Sequence, residues 1–237
     1  MKRVLLVDAV EDASESAKAS VRSVEQWFGR HLGLERKAVL HTVPASSSSL
    51  GEAAEGADGV VISGSPRDAW SEDPEVLRLL GFARQLLLGR QPVLGVCFGH
   101  QLLARAAGGD VRRSSMGWEV GATRVHLTPA GVESPLFAGF DEEFAAIQSH
   151  RDAVSALPPG ATVLAMNAHT PIQAFSLEKR IFGVQFHPEM NGEILRRRWS
   201  ERREQWRGQV SFDLDHALDS ADADASRVLR NFLAILP

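Results

Sequence analysis

The sequence predicts an α/β fold of three layers, with a mostly parallel central sheet, helices on both faces and an antiparallel extension. Three observations lead there. Short apolar runs alternate with helix-periodic segments through about residue 107, the pattern of a parallel sheet covered on both sides. From about Val111 to Phe186 the pattern changes to short β-like runs parted by turns, without long helices between them. A chain of 237 residues that is 44% hydrophobic also has enough apolar material for the core of one domain of ordinary α/β size. Residues 1–237 are therefore read as a single domain.

Arg3 to Asp8 reads as the first buried strand. Ser14 to Leu32 reads as a helix with Ala17, Val21, Val24, Phe28 and Leu32 on one face, stopped by Gly33. Asp12 and Glu15 have the spacing of a capping box, with Asp in place of Ser or Thr. Lys37 to Val43 is a second strand, and the serines at 46–49 mark a loop. Asp58 to Ser63 is a third strand, ending in Gly64-Ser65-Pro66. Asp73-Pro74 opens a helix that turns Val76, Leu80 and Leu87 inward and stops at Gly89. Pro92 to Val96 is the fourth strand. Further strands are expected at Val120 to Leu127, Phe144 to Ser149, Thr162 to Met166, Pro171 to Ser176 and Arg180 to Phe186, the last returning to the sheet centre. Two helices close the chain, the second being Ala225 to Leu236 with Val228, Leu229, Phe232 and Ile235 inward. Asp213 to Asp224 is expected to be mobile.

Composition narrows the function classes. A net charge of −4 gives no reason to expect nucleic acid or an anionic membrane as partner. Only Val4 to Val7 separate Met1-Lys2-Arg3 from Asp8, too short a run for a signal-peptide core, and no apolar stretch reaches membrane-spanning length. A single cysteine forms no intrachain disulfide, which favours a reducing compartment. The expectation is a soluble, cytoplasmic protein.

That cysteine, Cys97, sits in Gly95-Val96-Cys97-Phe98-Gly99-His100-Gln101. The fourth strand precedes it, and Leu102, Leu103 and Ala106 follow at helical spacing until Gly108-Gly109. A cysteine on a strand-to-helix turn between flanking glycines has the layout of a nucleophile elbow. The helix N-terminus behind it favours a thiolate. The glycines are expected to permit the tight bend.

A cysteine nucleophile needs a proton shuttle and a group to orient it. In Gly183-Val184-Gln185-Phe186-His187-Pro188-Glu189, His187 and Glu189 are two apart at a predicted strand end. On an extended chain such residues point the same way, so the carboxylate can reach the imidazole from its own strand. Pro188 would keep His187 extended. No metal is expected, since the pair lacks a third ligand, and no cofactor is implied.

The cysteine elbow, the Gly183–Glu189 segment and the loop Ile62-Ser63-Gly64-Ser65-Pro66 together resemble class I glutamine amidotransferases. The likeness is to free-standing members similar to the amidotransferase domain of GMP synthase. It covers roughly residues 1–190 plus the last helix, and is weakest over the helical and acidic segment at about 191–224. It implies the flavodoxin-like sheet of that family. It also implies a catalytic triad in which Cys97 attacks the glutamine amide, His187 transfers protons and Glu189 orients it. The oxyanion would be held by backbone N–H groups of Phe98 and of the Gly64-Ser65 loop, where family members often have Gly-Gly-Pro. Gln101 matches a position lining the glutamine pocket. Gln148-Ser149-His150-Arg151-Asp152 matches the family's Ser-His-Gly-Asp segment, making Ser149, Arg151 and Asp152 substrate-binding candidates. Arg151 stands in place of glycine, which implies a pocket of different shape or charge. His150 is read as a supporting or structural residue, because it lacks a carboxylate two residues away on a strand end. Glu119-Val120-Gly121 is similar to a family pocket segment, although an ordinary strand start accounts for it equally.

Glu193 to Arg207 carries Arg196, Arg197, Arg198, Arg202, Arg203 and Arg207 around Trp199 and Trp206. Glu193, Glu201 and Glu204 interleave at pairing distances, so a solvated amphipathic helix is favoured over a nucleic-acid surface. The leading functional expectation is hydrolysis of the γ-glutamyl amide of glutamine through a thioester. The ammonia would be released as such or passed to a separate synthetase chain, since this sequence carries no nucleotide-binding loop or second domain. The alternatives are a free-standing γ-glutamyl peptidase acting on a larger γ-glutamyl compound, and a non-catalytic binding protein of the same fold.

Overall fold

The computed structural model describes residues 1–10, 26, 28–29, 38–201, 213–219 and 223–237. Strands β1 (Lys2–Asp8), β2 (Ala38–Pro44), β3 (Gly59–Ile62) and β4 (Val93–Val96) run parallel, and β11 (Ile181–Val184) returns to lie parallel beside β4. Beyond β11 the sheet continues antiparallel through β10 (Ala174–Leu177), β9 (Thr162–Met166), β6 (Glu119–Leu127) and β7 (Glu143–His150). The resulting nine-stranded order is β2-β1-β3-β4-β11-β10-β9-β6-β7. The expected architecture and the return of the last strand to the centre are both present. A separate antiparallel ribbon of β5 (Asp110–Arg113) and β8 (Asp152–Ala156) has no counterpart among the strands expected from the sequence.

Alternate residues of the parallel strands enter opposite layers, as the two-residue period of a strand requires. Val4, Leu6, Val61, Leu94 and Val96 face one core, with Val228, Leu229 and Phe232 of helix α7 (Arg227–Ile235) above them. Leu5, Val7, Val60, Ile62 and Val93 face the other. That side is covered by α2 (Pro74–Leu88) and α3 (Phe98–Ala106), while α1 (Leu50–Glu55) is a short helix after the serine loop.

Helix α2 begins as its sequence indicates, with the Asp73 side chain accepting from the Glu75 N–H at 2.9 Å. Val76 and Leu80 are buried, but Leu86 rather than Leu87 completes the apolar stripe with Leu79 and Ala83; Leu87 is only half-buried. The helix predicted over Ser14 to Leu32 lies outside the described residues except at Gln26, Phe28 and Gly29, which are helical, with Phe28 buried.

The short helix α4 (Pro129–Val132) follows β6, and after β11 come α5 (Gly192–Glu201) and α6 (Leu214–Asp219). Helix α5 is amphipathic, with Leu195 and Trp199 inward and Arg196 and Arg197 exposed; Arg202, Arg203, Trp206 and Arg207 lie outside the described residues. Of the stretch Asp213 to Asp224 expected to be mobile, Leu214–Asp219 form helix α6, and residues 220–222 lie outside the described residues. Asp213 accepts from the His216 N–H at 3.0 Å, and Leu214 and Leu218, one turn apart, pack with Val120, Ile147, Leu195 and Trp199 in a small third core. The acidic composition masked that apolar pair. Among the described residues no helix is long and apolar enough to cross a membrane.

Candidate active site

Cys97 is the residue between β4 and α3, with φ 50° and ψ −101°. The left-handed region is costly for a residue with a β-carbon, at about 1–3 kcal/mol, so the turn is strained at the cysteine itself. Its N–H bonds the Val184 carbonyl at 2.9 Å and its own carbonyl accepts from the Gln101 N–H at 3.1 Å, which holds the conformation from both sides. The flanking glycines permit the tight bend through the room they leave rather than through their own dihedral angles. Neither adopts positive φ; they provide clearance. A β-carbon at Gly95 would overlap the Gly99 backbone, and one at Gly99 would overlap the Ile62 carbonyl.

His187 lies on the neighbouring strand's continuation. Its Nδ1 is 2.7 Å from Glu189 Oε1, and both side chains are buried. The geometry corrects the expected one. Strand β11 ends at Val184, and His187 to Met190 form a turn closed by the Met190 N–H on the His187 carbonyl at 3.3 Å. Glu189 therefore reaches the imidazole around a turn, not by alternation along a strand. The His187 N–H is anchored to the Ile147 carbonyl of β7 at 2.8 Å. Burial by itself disfavours the imidazolium, but the Glu189 carboxylate first and the nearby Cys97 sulfur second outweigh it and raise His187 to about 10. Cys97 follows β4 and the His187–Glu189 pair follows the neighbouring β11, and all three residues line one pocket.

The loop after β3 closes over this group. A β-carbon at Gly64 would lie 3.1 Å from His187 Cε1 and 3.6 Å from Cys97 Cβ. Ser63 Oγ pins the loop by accepting from the Ala9 N–H at 2.9 Å, and Ser65 Oγ accepts from the Arg67 N–H at 3.2 Å. Phe98 opens α3, where backbone N–H groups lack intrahelical acceptors.

A pocket extends from Cys97 and His187 to the remaining candidates, Gln101, Ser149, Arg151 and Asp152. Gln101 Nε2 donates to the Asp152 carbonyl at 2.7 Å and to Gln185 Oε1 at 3.0 Å. Ser149 Oγ is engaged by Trp199 Nε1 at 3.0 Å. Arg151 lies over the Trp118 ring, its Cζ 5.6 Å from the centroid, and reaches Asp68 Oδ1 at 3.5 Å. The Asp152 carboxylate accepts from Trp70 Nε1 at 2.9 Å and from Arg113 Nε at 3.4 Å. Its burial and the nearby Asp68 carboxylate raise its pKa.

Sequence reasoning missed Asp68, Trp70 and the Trp118–Trp199 wall, whose rings meet edge to face at 5.3 Å. It also missed the partner of His150. That residue does have a carboxylate, Glu119 of β6, which faces it in register across the sheet with His150 Nε2 at 2.9 Å from Oε2. No local signal announces a partner 31 residues away. Among the described residues no three His, Cys, Asp or Glu side chains cluster as a metal site.

Strand, strained cysteine, helix and a facing histidine–carboxylate pair define an α/β protein of the cysteine-elbow class. The family model of class-I glutamine amidotransferases matches residues 19–202, and the chain belongs to that family. It is 44% identical over 150 residues to a GMP synthase [glutamine-hydrolyzing] of Aeropyrum pernix, covering 62% of this chain and 27% of that protein. It is 37% identical over 140 residues to gamma-glutamyl peptidase 5 of Arabidopsis thaliana, covering 58% of this chain and 56% of the peptidase. The match therefore spans about a quarter of the first relative and just over half of the second. In fold, a glutamine amidotransferase of Thermotoga maritima superposes with TM-score 0.74 at 22% identity, covering 98% of this chain and 96% of that one. A glutamine amido transferase from Methylobacillus flagellatus gives 0.75 at 23% identity, covering 100% and 95%.

Proposed function

We propose that the protein hydrolyses γ-glutamyl amides, glutamine among them, through a γ-glutamyl thioester on Cys97. The observation that carries this reading is the convergence of the Cys97 sulfur, the His187 ring and the Glu189 carboxylate beside a pocket. In the first half-reaction the sulfur of Cys97 bonds to the amide carbon, and the carbon–nitrogen bond breaks as His187 gives its proton to the leaving nitrogen. In the second, His187 takes a proton from water as the oxygen attacks the thioester. Glutamate leaves, and the sulfur is restored. Glu189 holds the ring in orientation and stabilises its charge. Backbone N–H groups of Phe98 and the Gly64-Ser65 loop stabilise the tetrahedral oxyanion, where one donor is worth about 3–4 kcal/mol of barrier.

A second reading, in which the leaving group is an amino acid or peptide, is favoured by the pocket's extent. Its lining also includes Trp118, Met190, Arg198 and Trp199, more wall than departing ammonia requires. Arg151, at the family's glycine position, adds to that wall. In the first reading a synthetase would take up the ammonia.

The test is a mass-spectrometric trap of the acyl adduct on Cys97 with glutamine and a panel of γ-glutamyl dipeptides, alongside steady-state rates. A γ-glutamyl adduct, absent in Cys97→Ala, supports the chemistry, and the preferred leaving group decides between the readings. Full turnover by Cys97→Ala would refute the assigned nucleophile.

A further inference from the structure

Behind the pocket, the hydrogen bonds around Glu119 and His150 fix the protonation state of each. Glu119 Oε1 accepts from Thr123 Oγ1 at 3.1 Å and from Asn167 Nδ2 at 2.6 Å. Its Oε2 accepts from Thr170 Oγ1 and Gln173 Nε2, each at 3.0 Å. A carboxyl encircled by donors is an anion, and despite the burial that opposes it Glu119 is held down at about 2, with the His150 bond the leading cause. His150 meets the opposite surroundings. Its Nε2 lies 2.9 Å from Glu119 Oε2, and its Nδ1 lies 3.1 Å from the Asp152 carbonyl oxygen. Neither oxygen has a proton to give, so both ring nitrogens must carry one.

We infer that Glu119 holds His150 as a buried imidazolium, and that this ion pair is the positioning device of the glutamyl pocket. The chain of contacts is short. The imidazolium fixes the Asp152 carbonyl, and the same carbonyl anchors Gln101 Nε2, so the pair sets the pocket side chain one turn after Cys97. The positioning role rests on the proposed γ-glutamyl chemistry; the ion pair does not. An uncompensated charge here would be strongly destabilising, and the neighbours add none of the required sign. His169 faces the ring edge to face at 6.1 Å, with its Nδ1 3.4 Å from Glu119. His100 of α3 is buried and lowered to about 3 by that burial, against its own backbone contacts and with the His150 charge adding to the effect. The Asp152 carboxylate turns away to Trp70 and Arg113, and Arg151 turns to Asp68.

The deciding experiment is the ¹⁵N-histidine NMR spectrum of the unmutated protein, with the His150 signals assigned by their loss in His150→Gln. Both ring nitrogens are expected to carry protons at neutral pH, as their two acceptor partners require. A bare ring nitrogen there overturns the inference. In Glu119→Gln one ring nitrogen is expected to be bare at neutral pH, and KM for a γ-glutamyl substrate to rise about tenfold, the factor of a lost charge-assisted hydrogen bond. Alkylation of Cys97 by iodoacetamide, which bypasses the glutamyl pocket, should keep its rate, and Glu119→Asp should restore the imidazolium. An unchanged KM in a folded Glu119→Gln refutes the positioning role. Should that variant fail to fold, the spectrum of the unmutated protein still decides the ion pair. A protein that turned over no γ-glutamyl compound would refute the proposed function, while the protonation of His150 would still be read from the spectrum.

Discussion

Gly64 passes so close to His187 that a β-carbon on it would sit 3.1 Å from the ring Cε1, and 3.6 Å from Cys97 Cβ on the other side. The first distance is tighter than ordinary van der Waals contact, so Gly64→Ala must displace the imidazole, the loop or both by a few tenths of an ångström. Small misplacements at reacting atoms are expensive in rate. We expect kcat to fall by roughly tenfold or more while stability falls by about 1–3 kcal/mol, too little to unfold the protein. Steady-state kinetics beside a melting curve would check it; unchanged kcat would place Gly64 outside the reacting geometry.

Cys97 carries the strain of its own turn. With φ at 50° its β-carbon is a liability, and glycine is the one residue that loses nothing there. Cys97→Ala and Cys97→Gly should both be inactive, yet the glycine variant should be the more stable by about 1 kcal/mol, opposite to the usual effect of glycine on stability. Denaturant titration of the two variants measures the difference. A less stable glycine variant would show that the turn is not strained at this residue.

These two positions also show how far the chain's own residues disclose the site. The elbow is legible because everything that makes it is local: an apolar run, a lone cysteine, and a helix ended by Gly108-Gly109. His187 and Glu189 are legible as a pair, but not in their geometry, since nothing in His-Pro-Glu distinguishes a strand end from a turn closed three residues on. The roles of Gly95 and Gly99 depend on how near α3 and β3 pack, which is a tertiary fact. Glu119 stands out in the sequence only within a segment that a strand start explains as well as a family pocket does, and its bond to His150 depends on the register of β6 against β7. The capture of Ser149 by Trp199 arises from a helix in the segment where the family likeness is weakest. Long-range pairing leaves no periodic mark in the chain.

The Glu189 carboxylate is a principal reason that His187 stays protonated to about 10 against the cost of burial. Glu189→Gln removes that charge and leaves an amide of the same shape. The alkaline limb of the pH–rate profile should therefore move toward neutrality, and kcat at neutral pH should fall by about 10²-fold, within the range typical of general acid–base groups. Stability carries a matching signature. The folded pKa lies above the ordinary 6.5, so the ring's contribution is complete below pH 6.5 and is lost as the pH rises through about 10. The unmutated protein should lose stability over that alkaline window and Glu189→Gln should lose less. Parallel curves for the two proteins would refute the assignment.

Arg151 offers the sharpest separation between ammonia and a larger amine as leaving group. It stands at the family's glycine position, held over Trp118 and against Asp68 at the edge of the pocket. A dipeptide leaving group brings a carboxylate that a guanidinium can bind, whereas ammonia brings nothing. Arg151→Gly should therefore lower kcat/KM for γ-glutamyl dipeptides by roughly fivefold, about 1 kcal/mol for a partly exposed charge pair. The value for glutamine should change by less than twofold. Competition between the two substrates in one reaction measures the ratio directly. If glutamine suffers equally, Arg151 serves the glutamyl half of the substrate, and the pocket beyond the thiol gains no support as a peptide site.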